Sequence, residues 1–144
     1  MTDTAKSTDE LSAEVRAAVG TTYRRFRSAR PAGALGDAAM AVLAYLRKAG
    51  PQTLKALSDR DRVTPGSMSQ TVNRLEAAGY LVRTPDPSDG RRVLFTATES
   101  GLAVATDAHN VAVEWFDSGL AQLTADERET LARASRILLR LAAS

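Results

Sequence analysis

The chain has 144 residues with 19 basic and 17 acidic side chains, a formal net charge of +2, no cysteine and one histidine. The length suits one domain, and the lack of cysteine excludes disulfides, thiolate metal sites and a catalytic thiol. The lone histidine, His109, excludes a two-histidine zinc motif and lies in no hydrolase motif.

The N-terminal segment is polar and lacks the apolar run of a signal peptide, so we expect a disordered tail over 1–7 and a cytoplasmic protein. No apolar stretch approaches the length of a bilayer span, and we expect no membrane partner. Ser7 and Glu10 have the spacing of a capping box, which begins a helix. This helix should end near Arg30, because Pro31 disfavours helical geometry in the residue before it. A loop over 31–36 should follow.

Three more helices are expected before residue 79. Asp37 is predicted to cap the second helix, which ends at Gly50. A short third helix follows over the leucines at 54 and 57. The fourth helix begins at Thr64, has proline at its first position, and ends before Gly79. The pattern over residues 53–78 therefore predicts a short helix, a tight turn and a longer helix.

The periodicity changes after the fourth helix. Residues 80–84 and 91–96 have the composition of strands, and the turn-forming residues 85–90 separate them. Thr98 is expected to cap a long helix, and a second capping box at Thr124 begins the last one. The predicted fold is mainly α with a small β-hairpin.

The fourth helix has the composition of a DNA-recognition helix. Met68, Val72 and Leu75 recur at helical spacing and should face the core. The opposite surface carries small or hydrogen-bonding residues, and these are Gly66, Ser67, Ser69, Gln70, Thr71, Asn73 and Arg74. Asn and Gln can bridge adenine N6 and N7, and Arg can fork onto guanine O6 and N7. A polar helix that simply faces solvent accounts for this surface equally well.

The hairpin favours DNA binding, because a hairpin directly after such a helix forms a winged helix-turn-helix. Arg91 at the hairpin tip, with Arg92 beside it, suits the negative potential of a narrow minor groove. Asp89 lies two residues before Arg91 and is expected to orient its guanidinium. A solvated surface turn is the alternative. Contacts to phosphate are expected from three residues at helix starts, and these are Lys55, Thr64 and Gly66.

Three segments of the chain resemble the MarR (multiple antibiotic resistance regulator) family of bacterial transcription factors. They are residues 63–65, 73–83 and 89–101, within a resemblance that covers about 11–141. The family's wing signature is matched at Asp89, Arg91, Phe95, Thr96, Thr98 and Gly101. The chain departs from the family at the first motif helix and the turn, where Ser58, Asp61 and Arg62 stand.

The resemblance implies a homodimeric winged helix-turn-helix protein that binds a pseudo-palindromic operator in double-stranded DNA, typically as a repressor. Residues 1–144 would form one domain, with dimerisation helices in 8–36 and 98–144 and the DNA-binding unit in 37–97. Apolar stripes on the terminal helices support a dimer, because a small winged unit cannot cover them. Packing of these stripes on the chain's own core is the alternative.

Many family members bind small phenolic or carboxylate effectors, and the resemblance implies such a ligand here. The aromatic and cationic candidates are Tyr23, Arg24, Arg27, Tyr45, Trp115 and Phe116. The alternative is that the aromatic residues form core and the arginines favour a helix C-terminus. No cofactor or metal is expected. A sequence-neutral architectural DNA-binding protein and a helical protein-interaction module remain open, while an enzyme fits least.

Overall fold

The computed structural model describes residues 6–31 and 34–144 and shows a mainly helical fold with one β-hairpin, as the sequence predicts. Most of the predicted N-terminal tail, and residues 32 and 33 of the predicted loop, lie outside the described residues. The elements in chain order are α1 (Thr8–Ser28), α2 (Asp37–Ala49), α3 (Leu54–Asp61), α4 (Pro65–Ala77), β1 (Leu81–Pro85), β2 (Val93–Ala97), α5 (Glu99–Leu120) and α6 (Ala125–Ala143).

Side-chain caps define the starts of α1 and α6. Ser7 and Glu10 form the predicted capping box of α1, and Thr124 and Glu127 form that of α6. In each box the hydroxyl accepts from a backbone N–H of the first turn while the carboxylate accepts from the N–H of the cap residue. Both predictions are therefore confirmed.

The predicted cap of α2 is wrong. Gly36 occupies the N-cap position without a side-chain cap, and Asp37 is the first helical residue. The Asp37 carboxylate instead accepts from Arg30 Nη1 at 2.8 Å. A charge-assisted hydrogen bond to a guanidinium is stronger than one to a neutral amide, so the ion pair takes the carboxylate.

The described residues within 30–110 form one compact unit, which contains every buried apolar side chain of the described chain. Helices α2, α3 and α4 pack together, and the hairpin contacts all three. Leu43, Leu57, Leu75 and Leu81 are at most 1% exposed. Burial of a leucine side chain contributes about 1.5–3 kcal/mol, so this core holds α4 firmly in place.

The strands β1 and β2 pair in antiparallel fashion, and the hairpin turn is wider than predicted. Arg91 and Arg92 lie in the turn and not in the second strand, because the Arg92 carbonyl accepts from the N–H of Asp86 at 2.9 Å and closes the turn there. A short bridge that sequence reasoning missed joins Gln52 to β2. The Gln52 N–H donates to the Phe95 carbonyl at 3.1 Å, and the Gln52 carbonyl accepts from the Phe95 N–H at 2.7 Å.

The first turn of α5 lies directly against the backbone that follows α4. The Thr98 hydroxyl accepts from the Gly101 N–H at 3.1 Å, which confirms the predicted cap, and donates to the Gly79 carbonyl at 2.7 Å. Gly101 is so close to Tyr80 that a Cβ at position 101 would lie 2.1 Å from the Tyr80 carbonyl oxygen. The start of α5 is therefore fixed to the end of α4.

Residues 6–29 and 111–144 belong to the second compact unit, and neither α1 nor α6 contains a buried residue. Large apolar side chains on α6 stay open to solvent, with Leu131 43%, Ile137 48%, Leu138 37% and Leu141 63% exposed. Leu11 on α1 is 51% exposed. No helix of the described chain has the length and apolar character that crossing a membrane requires.

Candidate nucleic-acid interface

Helices α3 and α4 form a helix-turn-helix whose turn depends on two residues. Arg62 follows α3 in the left-handed conformation, with φ of 52° and ψ of 43°. Glycine and asparagine adopt this conformation more readily than other residues do, so either would also suit the position. Thr64 caps α4 by accepting from the Ser67 N–H at 3.1 Å. Ser58, the departure within α3, is 3% exposed, and its hydroxyl donates to the Leu54 carbonyl at 2.8 Å. The buried hydroxyl is therefore satisfied, and the motif keeps its packing.

Helix α4 has the two faces that the sequence predicts. Met68, Val72 and Leu75 are at most 2% exposed and face the core. The predicted DNA-contacting residues lie outside this face, with five exposed and two half-buried. The exposed ones are Gly66, Ser67, Gln70, Asn73 and Arg74, and the half-buried ones are Ser69 and Thr71. The Thr71 hydroxyl donates to the Ser67 carbonyl at 3.3 Å, which holds this side chain against the helix.

The predicted phosphate-binding residues lie at the starts of α3 and α4. Gly66 is exposed, and a Cβ there would meet no atom within 4 Å, so DNA backbone can approach this turn. Lys55 pairs with Asp59 at 2.5 Å, with side chains 84% and 64% exposed. An ion pair this exposed contributes at most about 1 kcal/mol, so Lys55 can exchange Asp59 for a phosphate. Lys55 and Arg92 line one groove of about 370 Å³.

The hairpin tip is ordered by its own acidic side chains. Asp86 Oδ1 accepts from the N–H of Ser88 at 2.9 Å and from its hydroxyl at 2.7 Å. These hydrogen bonds, with a smaller contribution from Arg92, lower the pKa of Asp86. Asp89 Oδ1 accepts from the backbone N–H of Arg91 at 3.0 Å. Asp89 thus shapes the turn, while its action on the Arg91 guanidinium stays a prediction.

Sequence reasoning missed Arg83, which connects the hairpin to α4. It lies on β1 opposite Phe95, and its guanidinium carbon is 5.2 Å from the centre of the Phe95 ring. Its Nε donates to Glu76 Oε2 at 3.1 Å, and its Nη2 donates to Asn73 Oδ1. One signal in the sequence could have indicated this pair. Glu76 is the single acidic residue of α4, and Arg83 is a basic residue on the strand that follows this helix.

The predicted effector residues divide between the two units. In the second unit, Phe26 lies 6.5 Å from Tyr23 and 6.0 Å from Trp115 between ring centres, and Phe116 completes the cluster at 4.9 Å from Trp115. Phe26 was absent from the predicted set. Tyr45 belongs to the unit 30–110, where the Arg60 guanidinium carbon lies 4.4 Å from the centre of its ring. One face of Tyr45 is therefore already covered.

Among the predicted effector residues, Trp115 lines a groove of about 660 Å³. The groove is also lined by residues that belong to the same compact unit as Trp115, and these are Ala29, Val111, Glu114, Ser118 and Gly119. Arg24 does not line this groove and donates to the Thr21 hydroxyl at 3.1 Å. The groove has the volume of a small-molecule site, and its polar lining is a carboxylate and a hydroxyl.

Comparisons of this chain with protein families, known sequences and solved structures agree with one another. The model of the MarR family matches residues 35–92. An HTH-type transcriptional regulator of Mycobacterium bovis is 33% identical over 131 residues, which cover 91% of this chain and 92% of that protein. A MarR family protein from Bacillus stearothermophilus has a similar fold, with a TM-score of 0.82 at 18% identity over 94% of this chain and 95% of that one.

A protein of Pseudomonas aeruginosa assigned to the transcriptional regulators is also similar in structure. It shows 28% identity and a TM-score of 0.75, and the match covers 95% of this chain and 98% of the other. The likeness therefore extends well beyond the helix-turn-helix and the hairpin, to nearly the whole length of both chains.

Proposed function

Because this chain belongs to the MarR family of helix-turn-helix transcriptional regulators, we propose that two copies bind one pseudo-palindromic operator and repress transcription from it. The observation that carries this proposal is the exposed polar face of α4, followed directly in the chain by a hairpin whose tip carries the exposed Arg91 and Arg92. Such a helix fits the major groove, and such a tip fits the minor groove beside it. The relatives are regulators and not enzymes.

Selection of duplexes from a random DNA pool at ~150 mM salt tests the proposal. The selected duplex should bind about 10³-fold or more tightly than a random one, as is typical of specific regulators. An architectural DNA-binding protein would hold both duplexes equally, and a protein-interaction module would hold neither. A promoter that carries the selected duplex should lose transcription when the protein is added.

The dimer part of the proposal is supported by the open apolar faces of α1 and α6. Leu131, Leu138 and Leu141 recur at helical spacing on α6, and each is more than a third exposed. Apolar side chains exposed along a whole helix mark an interaction surface. A second copy covers this surface in the proposal, with the terminal helices of 8–36 and 98–144 as the dimerisation elements. Two-fold symmetry then sets the two α4 helices about one DNA turn apart, ~34–36 Å.

Arg74→Ala should lower affinity for the selected duplex by about 1–3 kcal/mol, because an exposed arginine on this face of α4 can fork onto one guanine. Binding to random duplexes should change little. Titration of both duplexes under the same salt checks this. Equal weakening of both would show that Arg74 contacts phosphate and reads no base.

Arg91→Ala should reduce the slope of log affinity against log salt by about one unit, because one phosphate-neutralising cation is lost. The measurement is a salt titration of binding for the wild type and the variant. Arg136→Ala, on the exposed part of α6, is the matched control and should leave the slope unchanged. An unchanged slope for the Arg91 variant would remove the wing from the interface.

The effector part of the proposal is a small phenol that binds at Trp115 and releases the operator. A phenolic hydroxyl can donate to the Glu114 carboxylate in the groove, whereas a carboxylate ligand would meet like charge there. The contribution of the other predicted residues, Tyr23, Arg24, Arg27 and Tyr45, is tested by alanine variants. Trp115 is the one tryptophan of the chain, so its fluorescence reports binding directly. Phenol should change this fluorescence and weaken operator binding, and benzoate should do neither.

A further inference from the structure

We infer that Arg83 is a positioning residue that fixes the amide of Asn73 and makes it a hydrogen-bond donor toward DNA. The inference rests on the proposed function and specifies which chemical groups of the operator Asn73 recognises. These groups are hydrogen-bond acceptors, namely guanine O6 and N7 or a phosphate oxygen. The alternative is the adenine contact that the sequence alone predicts for asparagine.

Arg83 is held in place on three sides. The Phe95 ring lies across the strand pair at 5.2 Å, which restricts the guanidinium by a cation–π contact. Glu76 accepts from its Nε at 3.1 Å and 3.3 Å through the two carboxylate oxygens. Asn73 accepts from its Nη2 through Oδ1. Because Asn73 and Glu76 are three residues apart on α4, one arginine reaches both from β1.

The hydrogen bond from Arg83 decides which end of the Asn73 amide is left for DNA. The amide oxygen is directed at β1, so the NH₂ group is the end that stays open. None of the described residues accepts a hydrogen bond from this NH₂ group, and the Asn73 side chain is exposed. Bidentate reading of adenine needs the amide oxygen to accept from N6 while the nitrogen donates to N7. With Oδ1 directed at β1 and one of its lone pairs used by Arg83, the Asn73 amide faces DNA with its N–H donors, and these match groups that accept.

Arg83 also cancels the one negative charge of α4. Glu76 is the single acid of this helix, and its side chain is 40% exposed. The ion pair with Arg83 leaves the helix without an uncompensated carboxylate where a phosphate backbone approaches. The Arg83 guanidinium is engaged by both Glu76 and Asn73, and we assign its effect on DNA binding to Asn73. Its side chain is 46% exposed and lines the groove that Lys55 and Arg92 also line, so a direct contact of Arg83 with phosphate is the competing outcome of the test.

The test measures coupling between the two residues in DNA binding. Duplexes selected by the wild-type protein are varied at each position, and their affinities are compared for wild type, Arg83→Lys, Asn73→Ala and the double variant. Lysine keeps the charge beside Glu76 but cannot bond both partners, because its ammonium lacks the planar fork. Arg83→Met combined with Glu76→Gln is the second variant, which removes both charges together. Thermal unfolding of each variant checks that it folds.

We expect Arg83→Lys to lose roughly tenfold in binding, which is the size of one base contact. It should lose nothing further once Asn73 is alanine. If the loss is confined to one G·C pair, and 7-deazaguanine there has the same effect, the acceptor is guanine. If the loss is equal for all duplexes but still vanishes in the Asn73→Ala background, the acceptor is a phosphate. Asn73→Asp, which loses the donor and adds a negative charge near the DNA, should weaken binding at least as much as Asn73→Ala.

Additive losses from the two single variants would overturn the inference, because Arg83 would then act without Asn73. An adenine at the Asn73-dependent position, with weaker binding when its N6 amino group is removed, would overturn it as well. Failure of the wild-type protein to select any duplex would instead reject the proposed function, and the inference with it. The wild-type selection therefore separates the two failures.

Discussion

Leu131→Glu together with Leu138→Glu should convert the protein to a monomer and abolish tight operator binding. These two leucines lie seven residues apart on one stripe of α6 and are 43% and 37% exposed in the single chain. Partial exposure lets a lone chain accept glutamate at both positions. In a two-fold dimer each change occurs twice, so four carboxylates would enter one apolar interface.

Burial of an unpaired charge costs several kcal/mol, so the dimer dissociation constant should rise by roughly hundredfold or more. Sedimentation velocity at several concentrations measures this change. Ala132→Glu is the matched control, because it adds a carboxylate to α6 next to the stripe at a position that is also exposed. The control should remain a dimer. A double variant that still sediments as a dimer would show that α6 does not form the interface.

Gly101→Ala should destabilise the fold by about 3 kcal/mol or more, which is large for the addition of one methyl group. The new Cβ would lie 2.1 Å from the Tyr80 carbonyl oxygen and 3.0 Å from its carbon, and real Cβ atoms do not approach backbone so closely. Relief requires α5 to move away from the end of α4. Such a shift would also break the hydrogen bond from the Thr98 hydroxyl to the Gly79 carbonyl.

The free energy of unfolding in urea measures this effect, and Gly66→Ala is the control. Position 66 is also helical, and a Cβ there meets no atom within 4 Å. Alanine at 66 should leave stability unchanged or raise it by about 0.5 kcal/mol through its higher helix propensity. Equal stability of the Gly101 and Gly66 variants would contradict the close contact with Tyr80.

Local signals in the sequence were sufficient for most of the fold. The capping boxes at Ser7 and Thr124 need only residues three apart, and the buried face of α4 follows from the spacing of Met68, Val72 and Leu75. Such features depend on neighbours along the chain. They are therefore visible before any tertiary contact is known.

Features set by contacts between distant residues were not predictable. Aspartate is a residue type that often caps a helix, yet the Asp37 carboxylate binds Arg30, seven residues earlier in the chain. Arg83 gains its role only when the hairpin folds against α4, ten residues from Asn73 and seven from Glu76. The covering of Tyr45 by Arg60 likewise depends on how α2 and α3 pack. Spacing along one element carries no information on these pairs.

The most direct test of the central claim is a hydroxyl-radical footprint on the selected duplex, combined with the mass of the complex. Two copies bound by their α4 helices should protect two symmetric segments on one side of the DNA, with centres ~10–10.5 base pairs apart. The complex should have the mass of two chains and one duplex. A single protected segment bound by one chain, or even protection along the whole duplex, would contradict the account.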